Sequence, residues 1–528
     1  MKKKLFSLFL TAILTVSVGI PTALAQEAAP EYAEHMVFQV ASTNINESVD
    51  YNADALSKYF EDMFNFEWDI ISLPSENDEE KIRVWINAGN MPEVVIGGSY
   101  KSGEMMNYID QGLLYRFPDD WKDRWPNAAK AFELTSLGDA VAEQAGGTYI
   151  FPRAIFASNY PAEKVVPHYL VYLRKDWAEA VGFPLKDAYK TSELMEYARL
   201  IKEKDPGNVG SRLVPMAIRP GFNCYTFTLP NSAYSGGADT SCEFYVGEDG
   251  QYRWGPASEA TLTGLKLYKQ AYDEGLLHPE FYAYTGQEAE EDFYIAGIAG
   301  MTVQFGMASY MALTENYLRE NLGLEYDDVV HTALILGEDG AYHAPELINY
   351  AGYVMFSPNI SEEKFCRYMD LMDYAATDYG QMVIRMGFEG VDWNYGEQGE
   401  ILSLYAEGDS ARSKYPSIYP IYHRLVIMSD DFTLINPAYR QQYRDRVAKM
   451  YTLKNEYATD ESIAPIDWNV QLHSSDAMSR ISINFGDEYA TVVLSSGNIE
   501  DNWNNWVKSY AYLIDPVLQE LNDSYANQ

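Results

Sequence analysis

Cysteine is scarce in this 528-residue chain: three, at Cys224, Cys242 and Cys366. That excludes a disulfide-built scaffold and leaves open whether Cys224 and Cys242 pair. Basic residues are scarce too, 39 Lys and Arg against 77 Asp and Glu, for a formal net charge of −38. A surface so acidic repels phosphate backbones and anionic lipid, which excludes nucleic acid and membrane surfaces as partners. Enzyme signatures are missing: no G-x-S-x-G elbow, no H-E-x-x-H, no Walker loop, no G-x-G-x-x-G. The seven histidines, at 35, 168, 278, 331, 343, 423 and 473, show no ligand spacing, so no metal or cofactor is expected. There is no internal repeat and no low-complexity segment. Long apolar runs are absent except near the start, where Leu5 to Gly19 falls short of the ~20 residues a membrane span needs. Lys2, Lys3 and Lys4 precede that run and Ala23-Leu24-Ala25 follows it, the pattern of a cleavable signal peptide over residues 1–25. The expectation is an exported protein beginning at Gln26. Lipid-anchored exported proteins carry a Cys at that place, so the usual tether is not expected.

What is present is aromatic and alternating. The chain holds 43 Tyr, 22 Phe and 10 Trp, more rings than a core alone explains, and the excess of Tyr favours rings with one wet edge. At this length a single core is exceeded, since cores stop growing near ~250–300 residues, so at least two lobes are expected. Met36–Val40 reads as a strand, Asp50–Phe64 as a helix, Phe66–Ile71 as a strand, Glu76–Ala88 as a helix stopped by Gly89, and Val94–Ile96 as a strand. Strands alternating with helices predict an α/β fold with a parallel sheet whose ligands sit beyond the strands' carboxyl ends. A second α/β block starts near Tyr149, with a strand at His168–Leu173 and a helix at Ser192–Lys204. Cys224–Gly250 reads as a long surface loop or hairpin. Further strands are expected at Ala299–Phe305 and Tyr350–Ser357, and the last third reads as helical to Ala526.

The segments resemble a known family in order. Phe66-Glu67-Trp68-Asp69-Ile70-Ile71 followed by Ala88-Gly89-Asn90-Met91-Pro92-Glu93-Val94-Val95 is similar to the strand–helix–A-G-x-x-P-D run of extracellular solute-binding proteins of family 1, the capture components of carbohydrate ABC importers. Arg174-Lys175-Asp176-Trp177 resembles its R-K-D-W, Lys204-Asp205-Pro206 its K-D-P, Glu274-Gly275-Leu276-Leu277-His278-Pro279-Glu280-Phe281 its E-G-L-I-D-P-E-F, Gly297 to Met301 its G-K-A-G-M, and Gly387-Phe388-Glu389-Gly390 its G-I-E-G. The resemblance covers nearly the whole mature chain.

It implies a two-lobed, periplasmic-binding-protein-like α/β fold of type II with a hinge, not an enzyme, capturing an oligosaccharide as a monomer and delivering it to ABC permease subunits. A secreted polysaccharide-degrading enzyme is the alternative, and the acidic run Glu288, Glu290, Glu291 and Asp292 would be its source of acid and base, although 77 acids make such runs by chance. Residues 26–150 and 330–378 are assigned to the first lobe and 151–329 and 379–528 to the second, with crossings near 147–165, 329–342 and 377–383. Many family members extend K-D-P into a calcium loop. Here Gly207 and Val209 stand where oxygen ligands belong, so no calcium is expected. Sugar faces want rings and sugar hydroxyls want polar rims. The candidates are Asn44 and Tyr100 at strand ends, Tyr225, Phe227 and Trp254 in and beside the long loop, Phe305 after its strand, and Arg385, Glu389 and Trp393 around the G-x-E-G stretch. Each ring is equally compatible with a core position.

Overall fold

The computed structural model describes residues 32–525, apart from 74–77, 98–101, 157–168, 238–242, 285–286, 398, 407–408, 428–436 and 438. The signal segment 1–25, Gln26, Tyr100, His168 and Cys242 lie outside the described residues. Among the described residues no helix is long and apolar enough to cross a membrane.

The first four strands are β1 (Met36–Thr43), β2 (Phe66–Leu73), β3 (Val94–Gly97) and β4 (Ile150–Ala154). Then come β5 (Tyr169–Arg174), β6 (Ala188–Lys190) and β7 (Val214–Ala217). A hairpin of β8 (Phe244–Val246) and β9 (Tyr252–Trp254) follows. Last in the two sheets are β10 (Ala299–Phe305), β11 (Val330–Leu336) and β13 (Tyr350–Phe356), while the two-residue β12 (Ala344–Pro345) pairs apart from them with Ile463–Ala464. One five-stranded sheet runs β2-β1-β3-β13-β4, the other β6-β11-β5-β10-β7. In the first, β1, β2 and β3 are parallel and β13 alone runs against its neighbours. In the second, β5 runs against both β10 and β11.

Local chemistry explains the opening βαβ unit. The Asp54 carboxylate caps the helix Ala55–Phe64 by accepting from the amides of Leu56 and Ser57. Asn65, at φ 48°, ends it in the left-handed turn. Helix Asp78–Ala88 opens on three acids that suit its positive end, and Gly89 at φ +66° stops it. Both faces of the first sheet are covered: Phe38, Val40 and Trp68 pack with Tyr368 and Tyr422, and Ala41, Val95 and Met355 pack with Ile82 and Ile86. The second sheet is likewise covered: Val171 and Leu173 belong to one core with Trp254 and Trp506, and Leu170 and Tyr172 to another with Phe293 and Tyr443.

The lobe limits differ from the expected division at two places. Strand β11, residues 330–336, pairs with β5 and β6 in the second sheet rather than joining the first lobe. Val383, Ile384 and the stretch from Tyr415 to Ile427 pack into the first core rather than the second. Residues 377–383 are therefore no crossing; Thr377 caps the helix Asp378–Met386 within the first lobe. The chain passes between sheets from Ala154 to Tyr169, from Leu336 to Tyr350, and from Ile427 to Tyr439. A strand's apolar pattern does not say which sheet it will join, so these limits were not readable from periodicity. Asn349, at φ 60°, ties the first two passages together, accepting from the Phe156 amide at 2.8 Å and donating to the Phe156 and Leu134 carbonyls at 2.9 Å each.

Of the surface loop or hairpin expected at Cys224–Gly250, the hairpin is present as β8 and β9, and the described residues before it are largely interior. Cys224–Thr228 forms a wide π-type helical turn with Cys224, Phe227 and Thr228 buried, and Cys224 carries a free thiol.

Candidate ligand-binding site

Strand direction locates the site. Strands β1 to β4 of the first sheet end at Thr43, Leu73, Gly97 and Ala154. Strand β13 begins at that edge, since Tyr350 pairs with Ala154. In the second sheet β7 ends at Ala217 and β10 at Phe305, while the reversed β5 begins there, Tyr169 pairing with Phe305. The passage Ala154 to Tyr169 leaves one sheet at its carboxyl edge and joins the other at this edge. The passage Leu336 to Tyr350 does the same in return. The two edges thus flank the hinge, the place where open α/β sheets hold ligands.

The second lobe presents aromatic rings at its edge. Tyr169 lies 3.9 Å from Tyr225, 4.7 Å from Phe222 and 5.0 Å from Phe305, centroid to centroid. Phe305 in turn lies 4.8 Å from Tyr310. Tyr169, Tyr225, Phe305 and Tyr310 are only half-buried, so their rings keep exposed area. The Arg219 guanidinium sits 3.8 Å over the Phe222 ring, and its Nε lies 3.3 Å from Glu290 Oε1. Burial pushes the Glu290 carboxyl up to about 7, against the pull of Arg219. Two acids of the run are therefore engaged: Glu290 with Arg219, and Asp292 accepting from the Tyr284 hydroxyl at 2.6 Å.

The first lobe presents cations. Arg424 donates to the Thr43 hydroxyl, and its guanidinium lies 5.2 Å from the Tyr419 ring. Arg412 lies 4.7 Å from the same ring and 3.5 Å from His423 Nε2. Arg385 donates to the Ile427 carbonyl at 2.6 Å, and Ile427 pairs with Ala154, next to Arg153. Burial, then the charges of Arg385, Arg412, Arg424 and Arg153, hold His423 well below its usual range, hence neutral. Asn44 and Arg412 are exposed at this rim.

The expected site residues divide accordingly. Tyr225 and Phe305 stand on the aromatic edge, and Asn44 and Arg385 on the cationic one. Glu389 is exposed, its backbone bridged to Trp393. Three rings are interior, a correction to their assignment. Phe227 stacks on Tyr268 at 4.7 Å with 4° between planes. Trp254 stacks on Trp506 at 5.3 Å. Trp393 donates to the Gly387 carbonyl at 3.0 Å and packs on Met382, Met386 and Ile401. Tyr169, Phe222, Tyr310, Arg219, Arg153, Arg412 and Arg424 were not anticipated.

In the K-D-P loop the Asp205 carboxylate accepts from the amides of Val209 at 2.9 Å and Gly210 at 2.8 Å, so the loop's own backbone occupies both oxygens. Among the described residues no group of three or more His, Cys, Asp or Glu is placed to hold a metal ion. Chelator is expected to leave the unfolding midpoint unchanged. A large fall, restored by calcium and abolished in Asp205→Ala, would show a calcium site there.

The family model described as "Bacterial extracellular solute-binding protein" matches residues 42–381. The chain is 23% identical over 348 residues to the polygalacturonan/rhamnogalacturonan-binding protein YtcQ of Bacillus subtilis (strain 168), covering 65% of this chain and 64% of that one. It is 22% identical over 230 residues to the fructooligosaccharide ABC transporter substrate-binding protein FusA of Streptococcus pneumoniae serotype 4, covering 43% of this chain and 41% of that one. It thus spans less than two thirds of either relative's length. The fold is similar to that of the calcium-free alginate-binding protein AlgQ2, with a TM-score of 0.66 at 16% identity, covering 95% of this chain and 100% of that one.

Proposed function

The chain belongs to the bacterial extracellular solute-binding proteins, and from that membership we propose that it captures an oligosaccharide between its lobes and delivers it to the permease of an ABC importer. The observation that carries the reading is the group of half-buried rings Tyr169, Tyr225, Phe305 and Tyr310 at a strand edge facing the hinge. Sugars present flat C–H faces, which rings cover well, and hydroxyl rims, which Arg219 and Asn44 suit. Both names among the relatives, a pectin-type and a fructan-type binder, favour the same class. A ligand touching both edges binds the closed arrangement better than the open one, and that difference drives closure. Both walls come from one chain, so a monomer suffices. The lysine-led apolar segment before Gln26 supports export.

Calorimetric titration against an oligosaccharide panel tests this. Tyr169→Ala and Phe305→Ala are each expected to weaken the best ligand about two- to tenfold, since ring contacts of roughly 0.5–1.5 kcal/mol reach at most the 1.4 kcal/mol or so of one decade. Undiminished affinity in both folded variants would remove this edge from the site. Cleavage of the glycan during the titration would instead favour the degrading enzyme.

A further inference from the structure

Buried cations need partners. Removing a charge from water costs several kcal/mol unless an opposite charge or hydrogen bonds replace the hydration. The carboxyl edge of the first sheet breaks that rule in a protein whose net charge is −38. Arg153 is 4% exposed, and its Nε and Nη1 have no hydrogen-bond partner among the described residues. Arg424 is 7% exposed; Nη1 is satisfied by Thr43, but Nε is unpartnered. His423 Nδ1, between these arginines and Arg412, is also buried without a partner. The opposite charge that both Arg153 and Arg424 sense is Asp78, at the start of the helix Asp78–Ala88. So four arginines, 153, 385, 412 and 424, gather around one neutral imidazole at the rim, where Arg412 and Asn44 reach solvent.

Resting on the sugar-binding reading above, we propose that this arginine cluster receives the carboxylates of an acidic oligosaccharide, so that the ligand is uronate-bearing rather than neutral. The planar guanidinium fork matches a carboxylate two bonds at a time. A uronic acid carries its carboxylate on the ring's rim, away from the C–H face. Rings on one wall and arginines on the other therefore serve the two parts of the same residue. The protein's overall charge repels such a ligand at long range, and the local cluster is what offsets that repulsion at contact. Carboxylate oxygen then satisfies the unpartnered donors of Arg153 and Arg424. The exposed Arg412, stacked near Tyr419, makes first contact.

The test titrates the mature protein with oligogalacturonates of defined length, with their methyl esters and with a sulfated oligosaccharide of similar size. The acid is expected to bind at least tenfold tighter than its ester, and the preference to shrink as salt rises. Arg424→Gln and Arg412→Gln should each cut the preference about tenfold, the acid losing more affinity than the ester. Arg412 is exposed, so its variant keeps the test open if Arg424→Gln fails to fold. Equal affinity for acid and ester, or an unchanged preference in Arg412→Gln, overturns the proposal. Tighter binding of the sulfated ligand overturns the carboxylate assignment in favour of sulfate. Binding of neutral oligosaccharides alone refutes this inference and spares the sugar-binding reading. Binding of no glycan at all refutes both.

Discussion

Trp254→Ala is expected to lower the stability of the second lobe by about 3–5 kcal/mol and to leave ligand affinity in the folded fraction unchanged within twofold. The indole is 5% exposed and stacks on Trp506, with 25° between planes, while Tyr510 lies 6.2 Å away. Trp506 donates to Glu488 at 2.8 Å and Trp503 to the Pro256 carbonyl at 3.0 Å. The indoles therefore clamp the β8–β9 hairpin onto the long helix Ile499–Tyr525. Truncation leaves a cavity that these fixed neighbours cannot close, so the transfer and cavity costs add. Trp393→Ala is expected to act likewise on the small hairpin beyond helix Asp378–Met386, where the ring is 1% exposed. Urea unfolding, with calorimetry on the same preparations, measures both effects. An unchanged midpoint with a tenfold loss of affinity would put either tryptophan back at the ligand.

Why these two tryptophans read as ligand platforms, and Tyr169 did not, has one physical cause. Sequence shows what a ring sits beside along the chain, not what folds over it. Trp254 precedes Gly255 and Pro256 and looks like a loop ring, but the helix that covers it lies some 250 residues away. The rule that ligands lie beyond carboxyl ends pointed to Phe305 and Asn44, which stand at the carboxyl ends of β10 and β1. It passed over Tyr169 because β5 runs antiparallel, which puts an amino end beside Phe305, and apolar pattern does not encode strand direction. The arginine cluster was invisible for a similar reason: positions 153, 385, 412 and 424 form no run and no motif. The ordered motifs from Phe66 to Gly390, by contrast, carried the fold, because a βαβ unit writes its period, caps and stops into adjacent residues.

Lys454→Met is expected to stabilise the protein near pH 7 and to flatten its stability profile from about pH 7 to about pH 9.5. The Lys454 ammonium is fully buried on the helix Gln441–Tyr457, and its Nζ has no hydrogen-bond partner. The groups that face it are the rings of Tyr451 at 5.0 Å and Tyr342 at 5.6 Å, the latter on the passage from Leu336 to Tyr350. Loss of hydration pushes the amine down to about 7, far below the ordinary lysine value near 10.5. The folded state thus holds fewer protons than the unfolded chain between those values, so stability rises with pH across the window, by up to about 1.4 kcal/mol per unit for this one group. Below pH 7 both states are protonated, and the folded state carries the full cost of a charged amine in an apolar site. Above pH 10 the buried tyrosines, whose phenols burial has raised, reverse the trend, which is why the comparison stops short of it. Methionine fills a similar volume without the charge, and its variant gives the profile with the lysine's share removed. Thermal unfolding of both proteins at half-unit pH steps reads the difference, which should be largest at or below pH 7 and shrink towards pH 9.5. A difference independent of pH would mean that the gain is packing alone and that the amine beside the hinge is already neutral at pH 6.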